Sequence, residues 1–340
     1  MSAGWKIRQG FFKSEKISED EIWQKVNFFY SDSRKRNTYK FGMMKSILDS
    51  LFTMTMLNDG YYISYDMLFD KFTHNYWNLV VKYQLKQMRK DGRSEISVIE
   101  RILLNYKKES LEDSDIPFDA ICDEDRKKII SMVKSECKKY VLGAIYEDFD
   151  GYIYSFDLSG NGIYINPYFY EYFTKYKIEI EKINYYEWAK FLETINDDAA
   201  LVRVIDKLEL STPKREDLSI YRYVLEVEFE QHNCFYCGKK LTQNIHVDHF
   251  VPWSFVKSDV LWNFVLACPA CNIKKSNKVP NINVLMVLKE RNQLLQKNIS
   301  NPIVEEHFSN YTDNKLERMW HYARLSGLKD FVVCDSEKII

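Results

Sequence analysis

Apolar residues recur at helical spacing through most of the first 210 residues. Ser18-Glu19-Asp20-Glu21 reads as a capping box, with Ile17 and Ile22 as its hydrophobic staple, and predicts a helix running to about Tyr30. Phe41, Met44, Ile47, Leu48, Leu51 and Met54 share one helical face until Asn58-Asp59-Gly60 stops them. Another helix starts at Ser64, and Tyr76 to Met88 forms a further amphipathic run. The acidic stretch from Glu109 to Asp125, interrupted by Pro117, reads as a loop or boundary. Between Tyr152 and Ile165 the pattern reads as a β hairpin turning at Ser159-Gly160-Asn161-Gly162. Asn166-Pro167 then caps a helix, and Tyr185 to Ile195 belongs to another.

Ser211 to Asp217 is the best linker, and the pattern changes beyond it. Ile245, Val247 and Val251 mark a short β-branched strand, Phe264 to Ala267 leads into a cysteine pair, and Ile282, Leu285, Met286, Leu288 and Leu295 predict a helix after Pro280. The fold class is therefore α+β: a mainly helical domain with a β hairpin over 1–210, then a second domain over 218–340. No internal repeat is present.

Composition narrows the picture. Only 11 Gly and 7 Pro stand among 340 residues, under half of the usual share of about 12 %, which excludes collagen-like and flexible low-complexity chains and a turn-dense sandwich. No stretch approaches the roughly 20 apolar residues that span a bilayer, and Met1 to Lys13 is too polar for a signal peptide. The expectation is a soluble, cytoplasmic protein with no membrane partner. Net charge is −1, but it is unevenly spread: from 231 to 290 seven Lys stand against Asp248, Asp259 and Glu290, a net of +4. That basic stretch also holds the densest set of His and Cys.

Seven cysteines, with no secretory signal, argue against a disulfide framework. Cys234-Phe235-Tyr236-Cys237 and Cys268-Pro269-Ala270-Cys271 are two Cys-x-x-Cys pairs, the spacing that brings two thiolates on a tight turn to one tetrahedral Zn2+. Gly238 supplies the positive φ that such a knuckle needs. A closed four-thiolate site is structural, with no position left for water. Cys122, Cys137 and Cys334 have no spaced partner and read as small buried hydrophobes.

Thirty residues separate the pairs, more than the roughly 15–20 of a plain zinc ribbon. They include His246-Val247-Asp248-His249-Phe250-Val251-Pro252 and Asn263, and Asn272-Ile273-Lys274-Lys275-Ser276-Asn277-Lys278-Val279-Pro280 follows the second pair. An Asp-His with a Pro three residues on, a central Asn, and Cys-Asn-x-x-Lys-Ser with a following Pro together resemble the HNH, or ββα-metal, endonucleases. The third motif position is Asn272 rather than His, a variant also seen in the family. The resemblance implies that Asp248 and Asn272 bind the catalytic metal and that Asn263 braces the loop carrying the base. It also implies phosphodiester cleavage in DNA that leaves 5′-phosphate and 3′-hydroxyl ends. The region before the linker is similar to that found ahead of HNH modules in bacterial restriction or phage-defence proteins.

Chemistry points the same way. Hydrolysing a phosphodiester needs a base, a divalent ion and cations to offset charge. His249 is the base expected, because imidazole titrates near neutral pH. Two oxygen ligands plus water and phosphate suit Mg2+, with Mn2+ as substitute. Lys275, with Lys274 and Lys278, is expected to contact phosphate. Asp248 cannot share a strand face with His249 unless the strand bends or bulges there. His246 alternates with Asp248, so it faces the metal side; a structural His is the commoner outcome, as for His74, His232, His307 and His321. Trp253 and Trp262 are expected to pack around the zinc clasp. The partner expected is double-stranded DNA, with a homo-oligomer or a defence-system protein as further partners. The competing readings are a zinc-stabilised nucleic-acid-binding module without cleavage and a nuclease fold that has lost activity.

Overall fold

The computed structural model describes residues 4–90, 94–110, 116–210, 218–227, 229–297 and 302–332. The chain divides into two compact units, Met1–Lys214 and Arg215–Ile340. The junction falls in 211–217, so the linker read from sequence lies outside the described residues, as does Cys334.

In the first unit, strand β1 (Gln9–Gly10) precedes α1 (Glu19–Ser31) and α2 (Tyr39–Ser50). Then come β2 (Thr55–Leu57), β3 (Gly60–Ser64), α3 (Tyr65–Trp77), α4 (Val98–Ser110) and α5 (Asp123–Asp148). After β4 (Tyr154–Asp157) and β5 (Gly162–Ile165) follow α6 (Pro167–Lys175), α7 (Lys177–Glu193), α8 (Asp198–Leu201) and α9 (Val204–Leu210). The capping box at α1 is complete: the Ser18 hydroxyl accepts from the Glu21 amide while the Glu21 carboxylate accepts from the Ser18 amide at 2.8 Å.

Several expectations change. The hairpin of 152–165 is one part of a five-stranded antiparallel sheet in the order β1-β4-β5-β3-β2. Asn58-Asp59-Gly60, read as a helix stop, turns a second hairpin, with Asn58 at φ 52°. Gly162 is needed for closeness: it pairs with Ser64, and a Cβ there would meet the Ile63 carbonyl oxygen at 2.2 Å. The run from Tyr76 to Met88 is not one helix, because α3 widens into a π turn over Asn78–Lys82 and the chain then leaves the axis, Gln84 taking φ 52°. The stretch read as a loop up to Asp125 is already helical from Asp123. Cys137 is buried as expected, but Cys122 is exposed at the start of α5.

The core sits where α5, lined by Ile129, Val133, Cys137, Val141, Leu142 and Ile145, packs on α3 and α4. It also encloses charge. Lys45 on α2 is 1 % exposed, pairs with Asp49 one turn on, and reaches Glu181 on α7 at 2.9 Å. Removing the ammonium would take the buried Asp49 carboxylate's cation away and leave Glu181 with only the more distant Lys177 ammonium, at 3.8 Å. Lys45→Met should therefore cost about 3–5 kcal/mol in urea unfolding of the full chain; a cost below about 1 kcal/mol would show that the carboxylates do not depend on this ammonium.

In the second unit, α10 (Ser219–Val227) leads to strand β6 (His246–His249), the short helix α11 (Trp253–Val256), β7 (Phe264–Ala267) and α12 (Pro269–Lys275). The remainder is β8 (Val279–Pro280), α13 (Ile282–Lys297), α14 (Pro302–Phe308), α15 (Asp313–Leu325) and β9 (Asp330–Phe331), which pairs parallel with β8. No helix among the described residues is long and apolar enough to cross a membrane. The units are thus a helical layer with one antiparallel sheet, and a smaller ribbon-and-helix unit, a mixed α+β fold.

Candidate metal centre and active site

Two tight turns bring the four thiols together. The Gly238 amide closes on the Cys234 carbonyl at 2.9 Å with Gly238 at φ 67°, and Cys268 caps α12, its carbonyl accepting from the Asn272 amide at 3.0 Å. The sulfurs of Cys234, Cys237, Cys268 and Cys271 all lie within 4.8 Å of one another, those of Cys237 and Cys268 at 3.9 Å. A tetrahedron with Zn–S arms of about 2.3 Å has edges of about 3.8 Å, so the set fits Zn2+. Burial pushes the Cys234 and Cys271 thiols up. A cation bound among the sulfurs would favour the thiolate form of these two.

The ribbon between the pairs is regular. His246 pairs with Ala267, Val247 with Leu266, Asp248 with Val265 and His249 with Phe264, all antiparallel. The expected bend is absent, so His246 and Asp248 project from one face and Val247 and His249 from the other. Helix α12 covers the first face. Asn272 and Lys275, one turn apart on the helix, meet His246 and Asp248, two apart on the strand: the Asn272 amide nitrogen lies 2.8 Å from His246 Nδ1, and Lys275 Nζ lies 3.0 Å from Asp248 Oδ2. An amide nitrogen can only donate, so His246 Nδ1 accepts, and the Asn272 carbonyl oxygen is turned away from His246.

Lys275 is placed differently from its sequence reading. It is wholly buried, and its ammonium donates to Asp248 and, at 2.6 Å, to the His249 carbonyl. A side chain three residues after Asn272 must face the strand, not solvent. Lys274 is exposed, and half-buried Lys278 donates to the Lys274 carbonyl at 2.9 Å. Tyr236, inside the first knuckle and fully buried, donates to Asp248 Oδ2 at 2.6 Å. Its place between two cysteines gives no sign of this contact in the sequence.

On the other face His249 is 2 % exposed. Its Nε2 lies 2.8 Å from Asp259 Oδ1, and the rings of Phe264 and Trp253 meet it edge-on with centroids 4.6 and 5.3 Å away. Trp253 thus packs on the imidazole. Trp262 is buried, its indole donating to Asn310 at 3.0 Å. Asn263, also buried, accepts from the Val251 amide at 2.9 Å and donates to the Val251 carbonyl at 3.0 Å, tying down the loop that follows His249.

The donors on the helix-covered face are a carboxylate and a carboxamide oxygen, a hard-cation set of the kind that holds Mg2+ or Mn2+. Asp248 Oδ1 carries a long contact of 3.3 Å to Lys275, which leaves lone pairs for such an ion. By donor chemistry these two groups suit such an ion, which would share the Asp248 carboxylate with the Lys275 ammonium and the Tyr236 hydroxyl.

A strand ribbon crossed by one helix, with His and Asp adjacent on the first strand and four cysteines placed to hold zinc, makes up a small α+β module. Residues 234–281 match the family model described as HNH endonuclease. No curated protein and no solved structure matches the chain. The match supports a nuclease at family level, and the family implies divalent-metal use and a nucleic acid substrate.

Purified full-length protein should carry about one zinc per chain that resists mild chelation. Cys268→Ser should release it and unfold the second unit, read by metal analysis and circular dichroism; full zinc occupancy in that variant would contradict a four-thiolate site.

Proposed function

We propose that this chain is a metal-dependent endonuclease that hydrolyses phosphodiester bonds in double-stranded DNA in the cytoplasm, in bacterial restriction or anti-phage defence. The observation that supports cleavage is the gathering of Asp248, His249, Asn263 and Asn272 onto one ribbon-and-helix unit inside the matched segment. The defence role rests on the similarity of the region before the linker to that of restriction and phage-defence proteins.

The strand's alternation suits the reaction. Displacement at phosphorus needs the attacking and leaving oxygens roughly in line. A phosphate lying across the strand edge then has the imidazole on one side and the Asp248 face on the other. His249 takes a proton from water as the water oxygen bonds to phosphorus, the bond from phosphorus to O3′ breaks, and O3′ gains a proton from solvent. Asn263 keeps the base in place by fixing the backbone two residues beyond it. Asp248 and Asn272 would hold the divalent ion, which when bound stabilises charge on the leaving oxygen. Lys274 and Lys278 offer positive charge to the phosphate backbone.

A second reading has its own support. His249 is covered by Trp253, and Asp248 is engaged by both Lys275 and Tyr236. These contacts favour a zinc-stabilised binding module that does not cut. Incubation with supercoiled plasmid separates the two. Wild type should nick or linearise it with Mg2+ or Mn2+ and not with EDTA, and His249→Ala should lower the rate about 10²- to 10⁴-fold. Cleavage retained in that variant removes His249 as base; binding without cleavage by wild type establishes the second reading. Asn263→Ala should lower the cleavage rate while leaving Mn2+ affinity within about threefold, measured by spin-resonance titration, since the side chain touches backbone and not the metal face.

A further inference from the structure

The connection from β6 to β7 returns one side chain to the base, and no motif in the sequence singles it out. α11 ends with Lys257 in the left-handed conformation at φ 56°, its amide closing on the Trp253 carbonyl. That reversal brings Asp259 back beneath the strand end. Its Oδ1 lies 2.8 Å from His249 Nε2, with the two side chains 7 % and 2 % exposed. Phe264 and Trp253 hold the ring at its sides, so the carboxylate meets an imidazole with little room to turn.

The geometry points to Asp259 as the positioning residue for His249: it fixes the imidazole with its proton on Nε2, so that Nδ1 is the atom that accepts a proton. A carboxylate oxygen can only accept here, which requires the ring nitrogen facing it to carry hydrogen. In a neutral imidazole the other nitrogen is then the lone-pair acceptor. Asn263 and Asp259 divide the work. The amide holds the backbone after the base, and the carboxylate holds the ring's tautomer and orientation, both from the same connecting segment. The inference rests on the endonuclease reading for its consequence, but the hydrogen placement stands apart from it.

The test uses full-length, zinc-loaded protein labelled with ¹⁵N-histidine. Wild type should show His249 protonated on Nε2, that proton shifted far downfield by the carboxylate. Asp259→Leu should move it upfield and lower kcat for plasmid cleavage about 100-fold, with DNA affinity and zinc content unchanged. Asp259→Asn, which keeps an accepting oxygen, should restore Nε2 protonation and much of the rate. A proton on Nδ1 in wild type would overturn the assignment whatever the activity, as would an unaltered cleavage rate in Asp259→Leu. If wild type cuts nothing yet shows the Nε2 proton and its loss in Asp259→Leu, the dyad stands and the nuclease reading is what fails.

Discussion

Four residue pairs of one antiparallel ladder decide which face of the site His246, Asp248 and His249 occupy. Because successive strand side chains point to opposite faces, the pairing of His246 with Ala267 through His249 with Phe264 sends His246 and Asp248 toward α12 and His249 away from it. A slip of one residue would exchange the faces and place an imidazole under the helix and a carboxylate among aromatic rings. The thiol cluster guards against such a slip, since Cys268 follows directly on the last residue of β7 and shares its cluster with the knuckle at Cys234 and Cys237.

Charge burial is handled alike in both units, each considered by itself. In the helical unit Lys45 lies between Asp49 and Glu181, and in the ribbon unit Lys275 lies against Asp248 with the His249 carbonyl completing its shell. In each, a lysine enclosed by oxygen acceptors replaces the solvation it has lost. They differ in placement: Lys45 bridges two helices, whereas Lys275 holds the carboxylate proposed above as a metal ligand. The positive charge assigned to substrate from sequence is thus built into the site's own wall.

The connecting segment between β6 and β7 does more than join strands. Trp253, Asp259 and Asn263 all reach back to His249 or to the loop just after it. Such a self-bracing loop gives the imidazole a defined direction without help from a distant element, which is what a small module with little core requires.

The chain alone determined the chemistry that depends on short spacing: two Cys-x-x-Cys pairs, a Gly with positive φ beside the first, the adjacent Asp248 and His249, and the capping box at Ser18. These are local, and their geometry follows from a few torsion angles. The motif match at 234–281 extends the same kind of information. Tertiary structure decided what spacing cannot express. A strand read as bent is straight, because its partner at 264–267 completes a regular ladder. Asn58-Asp59-Gly60 turns a hairpin, because Gly60 to Ser64 finds β5 far along the chain. Lys275 is buried, because helix phase and strand phase coincide over Asp248. Asp259 meets His249 only because a left-handed residue at 257 turns the backbone. Each depends on long-range pairing or on the phase of one element against another, and residue identity along a single chain does not carry that information.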